Sequence, residues 1–236
     1  YKRQVQEDEY LIKIAAVGIC NSDIYRGFAG GAYHYPLIMG HEMSGQIVEA
    51  GPSANQYAVG TNVTIFPLIP CKTCPACLRK EWVHCASYDY YGSRRDGGYQ
   101  EYLSVKEWNI LPLNEGDRLE HAALTEPISV CSHAVNLIHP TRNERIAVVG
   151  AGLLGITTAL ILKNSSDVDE VVVIDRNEFK LQIARDLGLQ GALFSDVESL
   201  ENRFNIVIEA CGAPDTYVST IRLAASKATV VWMGNA

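Results

Sequence analysis

Residues 146–175, IAVVGAGLLGITTALILKNSSDVDEVVVID, restrict the possible folds more than any other stretch of this chain. A strand-like IAVV runs into glycines at positions 150, 152 and 155. A helix-like LLGITTALILK follows, and a second strand-like run, VVVID, closes on Asp175. In that order each glycine of G-x-G-x-x-G has its own task. Gly150 permits the tight turn, Gly152 lets backbone approach a pyrophosphate, and Gly155 lets helix and strand pack closely. The helix opens at Leu153 and Leu154, so its N-terminal N–H groups face the phosphates. Asp175 stands twenty residues after Gly155, where a carboxylate accepts hydrogen bonds from ribose hydroxyls. Its charge repels a 2′-phosphate, so NAD is expected over NADP, with Arg176 pulling the other way.

The same alternation continues with strand-like FNIVIEA, helix-like TYVSTIRLAA and strand-like TVVWMG. Strands separated by helices imply a doubly wound parallel sheet, so residues 128–236 are expected to form a dinucleotide-binding (Rossmann) domain. Residues 1–127 read differently. Short β-like runs, YLIKIAAV, GQIVEA, NVTIF and YQEYLSV, are punctuated by Gly, Pro and Asn, the signature of a mostly β domain with long loops. The overall class is α/β. The first residue is Tyr1 and the last residues stop just after a strand-like run, so a chain truncated at both ends is expected.

Composition excludes two classes of function. The uncharged run Ile146–Leu162 approaches the length of a membrane span, but three glycines and two threonines interrupt it, and a turn in lipid would strand backbone polar groups. No membrane association is expected. The formal charge is −7, from 27 acidic and 20 basic residues, and no basic run occurs beyond Arg94–Arg95; nucleic-acid binding is not expected.

Cys71, Cys74, Cys77 and Cys85 crowd four of the seven cysteines into C-x2-C-x2-C-x7-C. Disulfides would need an oxidising, secreted setting; an odd cysteine total and no recognisable secretory leader point to a reducing, cytoplasmic one. A redox CxxC belongs at a strand-to-helix junction, whereas this one lies in a Pro-broken loop. Adjacent CxxC pairs bring sulfurs together from a short loop, as tetrahedral zinc requires. Iron–sulfur chemistry also takes four thiolates, and zinc is preferred over it. Three scattered segments carry further donors: GICNSD with Cys20, GHEMSG with His41 and Glu42, and TEPISV with Glu126. Singly, each has a structural explanation as a small core residue, a loop histidine or half of an ion pair.

Together these segments resemble a known family. GAYHYPLIMGHEMSG, FPLIPCKTCPACL, CASYDYYGSRRDGGYQEYLSVK, EPISVCSHA and VVGAGLLG are similar to zinc-dependent medium-chain dehydrogenases/reductases of the polyol dehydrogenase branch, and the likeness runs from near Tyr10 to the end. The resemblance implies a GroES-like catalytic domain before the Rossmann domain. It implies a structural zinc on Cys71, Cys74, Cys77 and Cys85, and a catalytic zinc on Cys20 and His41. Glu42 and Glu126 match positions that ligate that metal directly or through its water, Ser22 matches the hydroxyl that carries the substrate proton outward, and Asp23 resembles a supporting acid. Many alcohol dehydrogenases have a histidine five residues after the cysteine, where this chain has Tyr25, so the outer relay must differ or run through water. His84 is the one other histidine placed to touch the structural metal; His34, His121, His133 and His139 are read as structural or exposed.

The activity so implied is hydride transfer from a secondary hydroxyl of a polyol or polyol phosphate to NAD, yielding a ketose or ketose phosphate. Two zinc ions per full-length subunit and a homo-oligomer, dimer or tetramer, go with it. Arg94 and Arg95 are the candidate phosphate contact. The alternatives are an unphosphorylated polyol or L-threonine dehydrogenase, and a zinc-stabilised nucleotide-binding regulatory protein without turnover.

Overall fold

A computed structural model of the chain describes residues 5–165 and 168–234; the outermost ends of both expected domains lie outside it. The chain divides into two compact units, Tyr1–Glu126 and Pro127–Ala236.

The first unit is built on an antiparallel sheet. β1 (Glu9–Val17) lies between β6 (Tyr102–Lys106) and β2 (Met43–Ala50), the central strand, and β3 (Asn62–Ile65) and β7 (Ile110–Pro112) complete the order β6-β1-β2-β3-β7. Tyr10 and Ile12, two apart on β1, meet Ile47, Val63, Leu103 and Val105 in one core, as the two-residue period of a strand dictates. A separate two-stranded ribbon, β4 (Leu68–Ile69) with β5 (Asp89–Tyr90), brackets the cysteine-rich loop. Asn109, fully buried, donates from one amide nitrogen to the carbonyls of Phe66 and Leu68, pinning the chain as it enters that loop. Inside the loop is the short helix α2 (Pro75–Leu78). α1 (Asn21–Phe28) follows β1 and α3 (Leu119–Ala122) follows β7; α4 (Thr125–Ile138) begins at the boundary and runs into the second unit.

The second unit is a parallel sheet, β10-β9-β8-β11-β12, formed by β8 (Arg145–Val149), β9 (Glu170–Asp175), β10 (Gln190–Leu193), β11 (Phe204–Glu209) and β12 (Ala224–Trp232). α5 (Leu153–Ser165), α6 (Glu178–Asp186) and α7 (Pro214–Leu223) connect the strands. Ile146, Val148, Val171, Val173, Ile206 and Ile208 pack against Ala159 and Leu162 of α5 and Leu181 of α6, while Ala147, Val149, Val172, Ile174 and Val207 pack with Leu223. Both faces are buried, which is why these strands read as continuous apolar runs.

Two details depart from the sequence reading. β10 is absent from the strand-like runs of the sequence, because Gln190-Gly-Ala-Leu offers four residues and no β-branched side chain. The last helix stops at Leu223, with Ala224 already paired to Phe204 as strand. Among the described residues no helix is long and apolar enough to cross a membrane.

Candidate active site and metal centres

The bracketed loop brings Cys71, Cys74, Cys77 and Cys85 together, with all four sulfurs within 4.8 Å of one another. Cys71 Sγ lies 3.9 Å from Cys77 Sγ, and the Cys71 N–H donates to Cys85 Sγ at 3.2 Å. Zn–S bonds of about 2.3 Å in a tetrahedron place sulfurs about 3.8 Å apart, so the donor set fits such an ion. Protons on the four thiols are unevenly held. Hydrogen bonds from Thr73 and Cys74 pull the Cys71 thiol down to about 5, and burial with neighbouring thiols pushes Cys77 up to about 12. A shared divalent cation removes that conflict by taking the place of the protons. His84 is exposed and outside the cluster.

A second cluster forms where β1 ends and β2 begins. Cys20 caps α1, with its N–H donating to Asp23 at 3.3 Å. His41 and Glu42, 6% and 4% exposed, directly precede β2. The donor atoms of Cys20, His41 and Glu42 lie within 4.8 Å of one another. Gly18 makes room for this: a Cβ there would overlap the Glu42 carboxylate. Asp23, almost wholly buried, faces His41 Nδ1 at 3.3 Å, close enough for an ion pair though not aligned as a hydrogen bond. Burial disfavours a charged imidazole, yet Asp23 and Cys20 outweigh it and raise His41 to about 10. The Cys20 thiol and Asp23 are held below their ordinary values by His41 against burial, and burial raises Glu42. A proton on His41 thus balances buried negative groups, the place a metal cation would fill.

Ser22 adjoins the cluster: its hydroxyl and N–H reach the Cys20 sulfur, and its Oγ accepts from Arg26 Nη1 at 2.8 Å. Glu126 lies outside the circle of three. It accepts from the Tyr90 hydroxyl at 3.1 Å, and its charge raises Glu42. The Tyr90 ring meets His41 edge-on, with centroids 6.0 Å apart. Tyr25 is 61% exposed.

The two arginines differ. Arg95 Nε donates to Asp89 at 2.6 Å. Arg94 lies between the rings of Tyr33 and Tyr88, 4.2 and 4.4 Å from their centroids, and its buried Nε has no partner. Tyr88 adjoins Tyr90, with centroids 6.3 Å apart. Both arginines line an open cavity of about 650 Å³ with His34, Asp96 and Ser104.

In the second unit, Gly150 has φ +114°, and a Cβ on Gly155 would overlap the Gly150 carbonyl. A Cβ on Gly152 would meet nothing within 4 Å; the space above that residue is open, as a phosphate cradle requires. Asp175 Oδ2 accepts from the Ala151 N–H at 2.7 Å and Oδ1 from the Asn177 N–H at 2.8 Å. The carboxylate therefore stands at the glycine turn. Leu153 and Leu154 open α5, and Arg176 is exposed.

Three neighbours of the Cys20 cluster escaped the sequence reading. Arg26 was accessible, being four residues after Ser22 on one helix. Tyr90 and Tyr99 carried no local signal, because their partners are 36 and 76 residues away.

Comparison with known proteins agrees with this geometry. The alcohol dehydrogenase GroES-like domain family matches residues 6–115 and the glucose dehydrogenase C-terminus family matches residues 119–235. Galactitol 1-phosphate 5-dehydrogenase of Escherichia coli (strain K12) is 36% identical over 97% of this chain and 68% of its own length. The crystal structure of galactitol-1-phosphate dehydrogenase from Escherichia coli superposes with a TM-score of 0.91 at 33% identity, covering 98% of this chain and 69% of that one. A zinc-binding dehydrogenase from Sinorhizobium meliloti 1021, bound to NADP, gives 0.92 at 28% identity over 98% and 71% of the two chains. An alcohol dehydrogenase from E. coli CFT073, complexed with NADH, gives 0.89 at 27% identity over 98% and 70%. With two clusters of metal-ligating side chains in a GroES-like unit and a glycine turn on a parallel sheet, the chain belongs to the zinc-dependent alcohol dehydrogenase family of NAD(P)-linked oxidoreductases, in its polyol dehydrogenase group.

Proposed function

We propose that this protein oxidises a secondary hydroxyl of a sugar-alcohol phosphate to a ketose phosphate with NAD, galactitol 1-phosphate being the first substrate to test. The observation that carries the reading is the convergence of Cys20, His41 and Glu42 beside the Ser22 hydroxyl. In this reading the three side chains hold the catalytic zinc, through Nε2 of His41 because Asp23 faces Nδ1. Glu126, tied to Tyr90, would be the further carboxylate beside that set, acting directly or through water. Cys71, Cys74, Cys77 and Cys85 hold a structural zinc.

When bound, zinc supplies Lewis acidity, which lowers the pKa of a ligated water from about 16 to about 7, and NAD accepts the hydride. The chain's own residues do the rest. Ser22 Oγ accepts the substrate's hydroxyl proton as it passes its own proton outward. Arg26, donating to one Ser22 lone pair, fixes the rotor and leaves the other lone pair for that proton. Beyond Ser22 the relay has no imidazole, since Tyr25 occupies that place, and it continues through solvent. Gly150, Gly152, Leu153, Leu154 and Gly155 cradle the pyrophosphate, and Asp175 beside Arg176 receives the ribose.

Arg94 is the better candidate for the phosphate. Arg95 is committed to the Asp89 carboxylate, whereas Arg94 Nη2 donates to a neutral partner, the Tyr88 hydroxyl, at 3.4 Å. An unphosphorylated polyol is the second reading. It is favoured by the stacking of Arg94 between two tyrosines, which a purely structural arginine would also show. The test is a panel of polyols and their phosphates offered to the full-length enzyme with NAD, followed by NADH absorbance. Turnover of a polyol phosphate well above its parent polyol supports the first reading, equal rates support the second, and no turnover of any member rejects both.

A further inference from the structure

The loop GSRRDGGY, residues 92–99, sits directly behind the His41–Glu42 pair. Its backbone is laced to the three residues that precede His41: the Gly97 N–H donates to the Ile38 carbonyl at 2.7 Å, Gly98 to Gly40 at 2.8 Å and Tyr99 to Met39 at 3.0 Å. Asp96 adds an acceptor for the Ile38 N–H at 3.0 Å. Side chains are excluded from the contact, because a Cβ on Gly92 or Gly97 would collide with the Gly40 carbonyl. Gly40 itself has φ +93°, and its face is covered by the Tyr99 ring. The loop therefore fixes where His41 begins.

At its end the Tyr99 hydroxyl lies 3.0 Å from the Gly18 carbonyl and 3.1 Å from Asp23 Oδ2. Each of these groups supports one member of the cluster. Gly18 leaves the space in which the Glu42 carboxylate stands, and its N–H donates to the Glu42 carbonyl at 2.7 Å. Asp23 faces His41. A phenol has one proton to share between the two acceptors, so removing it loosens both supports together.

We propose that Tyr99 is a positioning residue for the Cys20–His41–Glu42 cluster, holding Asp23 and the Gly18 peptide through one shared hydroxyl. This rests on reading the cluster as a metal site. Groups that orient metal ligands from behind commonly alter metal affinity about 10-fold to 100-fold when lost. Tyr99 is partly exposed, where water competes for its partners, so the lower end applies.

The experiment uses the full-length protein loaded with Co²⁺ and challenged with a chelator, resolving the two sites by the position of their d–d bands, which differs between a four-thiolate and a mixed S, N and O ligand set. Tyr99→Phe, which removes one oxygen and keeps the ring, should weaken metal binding at the mixed-donor site about 10-fold and leave the four-cysteine site unchanged. The double variant Tyr99→Phe/Asp23→Asn should lose less than the product of the two single-variant losses, because the two changes share the Asp23 support while the Gly18 support is lost only with Tyr99. Unchanged binding at the mixed-donor site in Tyr99→Phe, an equal loss at both sites, or strictly additive losses in the double variant overturns the proposal. A wild-type protein that takes up only the four-cysteine metal overturns the metal reading itself, and the role of Tyr99 with it.

Discussion

Asp175 has two tasks. It accepts the Ala151 N–H that closes the glycine turn, and it presents the charge that would meet a ribose. Asparagine keeps one oxygen for the Ala151 N–H, gives up the bond from the Asn177 N–H at the exposed start of the next helix, and abolishes the charge. Asp175→Asn should therefore leave folding intact and lower the ratio of kcat/KM for NAD to that for NADP by about 10-fold to 150-fold, the worth of one charge-assisted hydrogen bond. An unchanged ratio would assign cofactor choice to other residues, Arg176 first. Arg94→Ala should cost a similar factor, about 10-fold to 150-fold, with the phosphorylated substrate only, while Arg95→Ala should lower thermal stability by releasing Asp89. Equal loss with phosphorylated and parent polyol in both variants removes the phosphate assignment. The difference between these arginines was invisible in the sequence: Arg94-Arg95 reads as one cationic pair, and only the fold shows which charge is already spoken for.

The glycine turn and the cysteine loop were both legible as elements, because their constraints are local. Gly150 and Gly155 stand five residues apart and meet through backbone alone, so spacing carries the information. Gly155→Ala would drive a methyl into the Gly150 carbonyl, and overpacking of this kind costs about 1–3 kcal/mol; urea unfolding of the second unit with no loss of midpoint would contradict it. Four thiols within fifteen residues can hardly avoid converging. Cys74→Ser should lose the metal of that loop and lower thermal stability while surviving folded enzyme keeps its chemical step, which metal analysis beside single-turnover kinetics will show. The Cys20 cluster was legible only through resemblance. Its three donors come from two segments about twenty residues apart, and no periodicity signals that β1 and β2 bring them together. Edge strand β10 was missed for the opposite reason: too little of its own sequence favours a strand, and β9 supplies the pairing.

At the scale of the whole chain, each unit has its own core: one sheet face in the first, both faces in the second. Ligands of one unit should therefore register in that unit. NADH at about 100 times its Kd should slow amide exchange of β8 and β9 about 100-fold where exchange needs the unit to open, and chelation should speed exchange around β4 and β5. Hydrogen-exchange mass spectrometry separates the two; a chelator effect spread evenly over both sheets would refute it. The organisation into a β unit followed by a doubly wound unit was readable because hydrophobic periodicity changes from two to alternating strand and helix. The crowding of Cys71, Cys74, Cys77 and Cys85 has one further outcome, for the ageing of the protein. A thiol pair whose sulfurs lie 3.9 Å apart needs little motion to bond. Once a chelator or acid strips the ion, dissolved oxygen can take two electrons and two protons from such a pair and leave a disulfide where a ligand set stood. Metal added afterwards finds two thiols where four are needed, so a stripped sample kept in air should recover only when reductant precedes zinc.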